Sequence, residues 1–128
     1  LLRKADIVSV HVPSAPETKG MINAEFLSDM KPGAVLINTS RGDVVEESAL
    51  LSAMDEKGIR AGLDVYADEP AVSEGEFSSA LASHPNTCGT HHIGASTEQA
   101  QSAVSEGVLQ IINTFSEGKI LHCVNGQA

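Results

Sequence analysis

Residues 34–65 read AVLINTSRGDVVEESALLSAMDEKGIRAGLDV, and the order of patterns within them decides the fold. Ala34-Val35-Leu36-Ile37-Asn38 is almost wholly apolar, which predicts a central strand. From about Glu46 to Lys57 the residues Ala49, Leu50, Ala53 and Met54 recur at helical spacing. Gly58 then suits the C-terminal cap. Ile59 to Val65 predicts the next strand. Strand, helix and strand in about thirty residues make a right-handed parallel crossover.

The same alternation extends outward. Upstream, Ile7 to Val12 is rich in β-branched residues and bounded by Asp6 and Pro13, which predicts a strand. Ser14 to Gly20 is a polar loop. Asn23 can cap a short helix through about Met30, stopped by Lys31-Pro32-Gly33. Downstream, Ala71 to Ser83 reads as a loop and then a short helix around Phe77 to Ala82. Asn86 to Thr90 is a further strand. Ser96 with Gln99 suggests a capping box. The helix behind it runs to about Glu117 and carries Ala100, Val104, Val108, Ile111, Ile112 and Phe115 along one side. Lys119 to Ala128 is an irregular or short extended tail. The expected class is therefore α/β, a doubly wound parallel sheet. Leu1 to Asp6 reads as the tail of a helix that begins earlier, so a longer parent protein is expected.

A chain of 128 residues is one domain's worth. With three Phe, one Tyr and no Trp, the core must come from Val, Ile, Leu and Ala, which suits a parallel sheet covered by helices on both faces. Eight basic against seventeen acidic residues give a net charge of −9, which argues against nucleic acid and anionic membranes as partners. No apolar run has the length of a membrane span and no signal peptide is visible. Cys88 and Cys123 are isolated, as free thiols of a reducing, cytoplasmic setting would be. His11, His84 and His122 lack paired ligand spacing, so no metal site is expected.

Three chemically capable residues follow predicted strands: Arg41, Glu69 and His92. Open α/β sheets bind ligands at the carboxyl ends of their strands. The planar guanidinium of Arg41 suits a substrate carboxylate; read alone, it also fits a surface side chain paired with Asp43 or Glu46. The imidazole of His92 can give and take a proton near neutrality. Glu69 behind it would accept a hydrogen bond from the other ring nitrogen and stabilise the imidazolium. Asp64 is open between a site role and a turn-forming one.

Taken together, Asn38-x-x-Arg41-Gly42, Asp64-Val65-Tyr66-x-x-Glu69-Pro70 and His92-x-Gly94 resemble the D-isomer-specific 2-hydroxyacid dehydrogenases, from about Ala5 to the end of the chain. The resemblance implies a Rossmann-like domain bound to NAD. The eleven glycines are scattered singly and no Gly-x-Gly-x-x-Gly occurs. Only the second, nicotinamide-side half is therefore expected here, over residues 1–118, with 119–128 returning toward an absent substrate domain. By the same resemblance Arg41 binds the acid's carboxylate and carbonyl, His92 exchanges the proton and Glu69 supports it. Val12, Pro13, Thr18, Thr39, Ser40, Arg41, Asp64, His92, Gly94 and Ala95 fall at positions that meet NAD. Gly94, two residues on, selects His92 over His91, where the family usually has Pro; His91 stays open as a helper or a structural side chain.

Gly94-Ala95-Ser96-Thr97 and the tail Val124 to Ala128 are most similar to the branch that oxidises 3-phosphoglycerate to 3-phosphohydroxypyruvate in serine biosynthesis. Hydroxypyruvate or glyoxylate reduction is the alternative, as is an NAD-binding corepressor on the same scaffold. The resemblance also implies a homodimer or tetramer, a small 2-hydroxy or 2-oxo acid as substrate, and dependence on the missing N-terminal half. The isolated piece is expected to be inactive.

Overall fold

The apolar run Val35–Asn38 forms a strand, β2, held between β1 (Ile7–Val10) and β3 (Arg60–Leu63). A fourth strand, β4 (Thr87–Gly89), pairs beyond β3, and every pairing is parallel. The computed structural model describes residues 1–70 and 77–126. It divides into two units, Leu1–His92 and Ile93–Ala128.

Register sorts the sheet's side chains. Val8, Leu36, Ala61 and Thr87 form one cross-strand row, and Val10, Asn38, Leu63 and Gly89 the next on the same face. Two helices pack into that core, α1 (Ala24–Asp29) through Leu27 and α2 (Glu47–Lys57) through Leu50, Ala53 and Met54, and loop residues such as Ile22, Val44, Ile59 and Leu81 join them. Leu50 and Leu36 have no exposed surface at all. Burying a side chain of that size contributes about 1.5–3 kcal/mol. On the opposite face Val35 and Ile37 are only half-buried. There an open groove of about 350 Å³ runs along Val35, Ile37, Arg60, Gly62 and Cys88. Among the described residues of the first unit the expected cover of both faces is thus present on one only, because both crossover helices pack into the same core.

Local chemistry sets the helix ends. The Asn23 side chain accepts a hydrogen bond from the Phe26 N–H at 3.0 Å and starts α1, as its position in the sequence predicts. Gly58 adopts φ 65° and ends α2. The Lys57 ammonium donates to the carbonyls of Leu27, Ser28 and Met30 at 2.6–2.8 Å, closing the end of α1. Leu2 to Lys4 form a turn.

Two expectations are corrected. No helix forms over Phe77 to Ala82; the Ser79 hydroxyl accepts the N–H groups of Leu81 and Ala82 and caps a single turn that goes no further. The loop expected before it, over residues 71–76, lies outside the described residues. In the second unit α3 (Glu98–Ser116) is capped by Thr97, whose hydroxyl accepts from the Ala100 N–H at 3.2 Å, and not by a Ser96–Gln99 box. The Ser96 N–H instead closes a turn onto the Ile93 carbonyl. Val104, Val108, Ile111, Ile112 and Phe115 line α3 as the spacing predicts, and all five are exposed. Among the described residues no helix is long and apolar enough to cross a membrane.

Candidate active site

The carboxyl end of β2 is shaped by Asn38, a polar residue with no exposed surface. Its Oδ1 accepts from the Ser40 N–H at 3.0 Å and the Ser40 hydroxyl at 2.8 Å, and its Nδ2 donates to the Arg41 carbonyl at 2.8 Å. Those three bonds satisfy the buried amide and wrap the chain around it. Thr39 and Arg41 are thereby left exposed at the sheet edge. The guanidinium donates to the Ser40 carbonyl at 2.6 Å. Among the described residues it forms no ion pair with Asp43 or Glu46; Asp43 instead accepts the Ser14 hydroxyl at 2.6 Å.

That bond is one of several tying the β1 exit loop to the Arg41 turn. The Gly20 N–H donates to the Asp43 carbonyl and the Ile22 N–H to Val44, while Glu46 donates back to Ile22. Pro13 and Thr18 lie in this loop, with Val12 at its start. The Thr18 hydroxyl donates to the Pro13 carbonyl at 2.6 Å and accepts from the Ala15 N–H at 2.9 Å, so it is engaged in closing its own loop.

Beyond β3, Asp64 is 6% exposed. Its N–H donates to the Asn38 carbonyl at 3.1 Å, and its carboxylate accepts the Thr90 hydroxyl at 2.5 Å. Its own carbonyl accepts the His92 N–H at 2.7 Å. His92 sits at φ 53°, a left-handed conformation uncommon for residues other than glycine. Its Nδ1 donates to Glu69 Oε2 at 2.9 Å, the proton placed by the acceptor-only carboxylate. Glu69 Oε1 in turn accepts the Tyr66 N–H at 2.6 Å. The Glu69 side chain is 24% exposed and that of His92 55%, so the carboxylate lies behind and the ring in front.

His91 is a different case. Its ring meets Phe77 edge-on at 5.5 Å and lies 6.2 Å from Tyr66, whose ring is 5.0 Å from Phe77. The residue itself is exposed, and its ring contacts are aromatic. Tyr66 is buried, and its phenol is held above its usual pKa by that burial first and then by the negative charge of Asp64, Glu47 and Glu69.

Glycine makes these loops meet. A Cβ on Gly42 would lie 2.1 Å from the Tyr66 carbonyl carbon and oxygen and 2.5 Å from the Ala67 nitrogen, so the Arg41–Gly42 turn sits directly on that peptide. Sequence reasoning missed this joint, and it missed Asn38 as the organiser of the turn. A polar residue ending an apolar strand was the available signal, since a buried amide needs partners. Arg41, Asp64, Glu69 and His92 all belong to the first unit; Gly94 and Ala95 form a turn in the second.

Residues 1–94 match the NAD-binding domain of the D-isomer specific 2-hydroxyacid dehydrogenases. The chain is 42% identical over 127 residues to the D-3-phosphoglycerate dehydrogenase of Escherichia coli K12, covering 98% of this chain and 31% of that enzyme. It thus spans about a third of the length of such relatives. The D-isomer specific 2-hydroxyacid dehydrogenase of Lactobacillus delbrueckii ssp. bulgaricus, solved in its NAD-complexed form, superposes with TM-score 0.85 at 32% identity, over 94% of this chain and 40% of that one. A glyoxylate reductase from Paecilomyes thermophila superposes with TM-score 0.81 at 31% identity, over 97% and 37%. With residues 1–94 matching that domain and the parallel sheet superposing on such enzymes, the chain belongs to the D-isomer specific 2-hydroxyacid dehydrogenase family, as part of the NAD-binding domain.

Proposed function

We propose that the parent protein is an NAD-dependent dehydrogenase acting on a D-2-hydroxy acid, with 3-phosphoglycerate as its substrate. The observation that carries this reading is the Glu69 carboxylate bridging the Tyr66 N–H and His92 Nδ1. With Nδ1 so engaged, Nε2 is the nitrogen left to meet substrate. In the reductive direction it gives a proton to the oxygen of the former ketone; in the oxidative direction it takes the proton from the hydroxyl. Glu69 stabilises the imidazolium form that each exchange requires. Arg41 grips the acid's carboxylate with two parallel N–H donors and orients the carbon that reacts.

The sheet edge suits the nicotinamide end of NAD: Val12, Pro13, Thr39, Ser40 and Asp64 follow successive strand ends with backbone, hydroxyl and carboxylate groups. When bound, NAD supplies the hydride chemistry. The choice of 3-phosphoglycerate rests on Gly94-Ala95-Ser96-Thr97 and on the similarity to the E. coli enzyme. A cytoplasmic place at the entry to serine biosynthesis goes with that substrate, as does a homodimeric or tetrameric assembly. The likeness to a glyoxylate reductase favours hydroxypyruvate or glyoxylate as the second reading.

The test is NADH formation from D-3-phosphoglycerate by the full-length protein, wild type against His92→Asn. Asn tolerates the left-handed backbone at this position, so a loss reports chemistry and not misfolding. The expected loss is about 10²–10⁴-fold in kcat. Turnover of glyoxylate or hydroxypyruvate in place of phosphoglycerate selects the second reading. NAD binding without turnover of any 2-oxo acid overturns both.

A further inference from the structure

We propose that Glu47 is a positioning residue for the Glu69–His92 pair, acting through the Tyr66–Ala67 peptide. The inference rests on the proposed function for its catalytic meaning, but its geometry stands apart from it. Two consecutive backbone amides are taken by two different carboxylates: the Tyr66 N–H by Glu69 Oε1 at 2.6 Å, and the Ala67 N–H by Glu47 Oε1 at 3.1 Å. Between those amides lies the Tyr66 carbonyl, the group against which Gly42 is pressed.

The Tyr66–Ala67 peptide is thus held from three sides. Gly42 blocks its carbonyl, Glu47 holds one amide, and the Tyr66 ring is anchored on Phe77. Glu69 takes its own bearing from the N–H of the adjoining Val65–Tyr66 peptide, which shares the Tyr66 Cα with the peptide held by Glu47. If the Tyr66–Ala67 peptide swings away from Glu47, Tyr66 moves with it, its N–H no longer aims at Oε1, and Oε2 loses its fixed place behind the imidazole. Glu47 opens α2, which follows the Arg41 turn almost directly. Its bond therefore ties the segment that grips substrate to the segment that supports the proton-exchanging ring. Arg41 and His92 are kept in one frame by a residue that touches neither. A reaction needing a carboxylate gripped and a carbonyl oxygen protonated together depends on that frame, because a misplacement of about 1 Å can cost about 10²-fold.

A competing role for Glu47 is electrostatic: an acidic side chain in the first turn of α2 favours the helix through its dipole. Glutamine separates the two roles. It keeps an oxygen acceptor for the Ala67 N–H and removes the charge.

The experiment compares wild type, Glu47→Gln and Glu47→Ala in the full-length protein. It reads kcat and KM for 2-oxo acid reduction, and the crystallographic separation of His92 Nδ1 and Glu69 Oε2. Glu47→Ala is expected to lower kcat about tenfold or more while leaving KM for NADH nearly unchanged, and to lengthen the 2.9 Å contact. Glu47→Gln is expected to restore kcat to within about threefold of wild type and to restore the contact. A contact unchanged in Glu47→Ala, or a loss that Gln fails to rescue, overturns the inference. If wild type turns over no 2-oxo acid, the proposed function fails, and the crystallographic comparison still decides the role of Glu47.

Discussion

Asp64 and His92 are joined through their backbones: the His92 N–H donates to the Asp64 carbonyl at 2.7 Å. The bond continues, past the last residues of β3 and β4, the pairing that Thr90 makes with Leu63. The β3 exit and the loop after β4 thus stay hydrogen-bonded beyond the sheet, although the His92–Asp64 bond is one residue out of the ladder's register. It helps hold His92 in a left-handed backbone conformation that costs of order 1–3 kcal/mol.

Glu69 uses its two oxygens for two purposes, and Glu69→Gln separates them. The amide oxygen can still accept the Tyr66 N–H, so stability should change little. The amide nitrogen facing Nδ1 favours the other imidazole tautomer and does not stabilise imidazolium. Steady-state kinetics of the full-length variant should show kcat/KM reduced by about 10²-fold or more. Wild-type kinetics would remove Glu69 from the site.

Gly42 and Gly107 should respond in opposite directions to alanine. At Gly42 the added methyl overlaps the Tyr66–Ala67 peptide, which is backbone and cannot step aside. Gly42→Ala should cost at least about 1–3 kcal/mol in denaturant unfolding. At Gly107, inside α3, nothing lies within 4 Å of the new Cβ. Gly107→Ala should stabilise by about 0.5–1 kcal/mol through helix propensity.

Lys57 is a structural cation. Its ammonium donates to three carbonyls at the end of α1, so Lys57→Met should leave them without that donor. The expected loss is about 1–3 kcal/mol in the same unfolding measurement, with no change in substrate KM. An unchanged midpoint would mean that water replaces the ammonium at no cost.

Tyr66 is the one tyrosine of residues 1–128, so in that piece tyrosinate absorbance reports it alone. Burial and the surrounding carboxylates raise its folded pKa, so ionisation should begin above the usual value of about 10. The sign follows from linkage. Below about pH 10 both folded and unfolded forms keep the proton, and the contribution of Tyr66 to stability is fully present. As pH rises from there through the raised folded value, the unfolded chain ionises first and stability falls. Titration at the ordinary value would place the phenol in solvent.

Much of this was legible in sequence because its causes are local. The apolar run at β2, the spacing of Leu50 and Met54, the Asn23 cap and the Gly58 stop each depend on a few neighbouring residues, and each appears where the sequence predicts it. Thr97 displaced Ser96 as the cap by one position, a shift decided by which hydroxyl faced the free N–H groups. The helix predicted over Phe77 to Ala82 is reduced to a single turn capped by the Ser79 hydroxyl.

The sequence by itself determined the α/β order, the central place of β2 and the motif that marks Arg41, Glu69 and His92. These depend on periodicity, turn chemistry and residue type, all carried along the chain. Only the tertiary structure decided that Glu69 faces both Tyr66 and His92, that His91 packs on Phe77, that Gly42 abuts the Tyr66 peptide and that Glu47 holds Ala67. Apart from the short Tyr66–Glu69 bridge, those contacts join residues well separated along the chain, and pairing across such distances leaves no local signature; it arises when a shared core fixes where the strand ends lie.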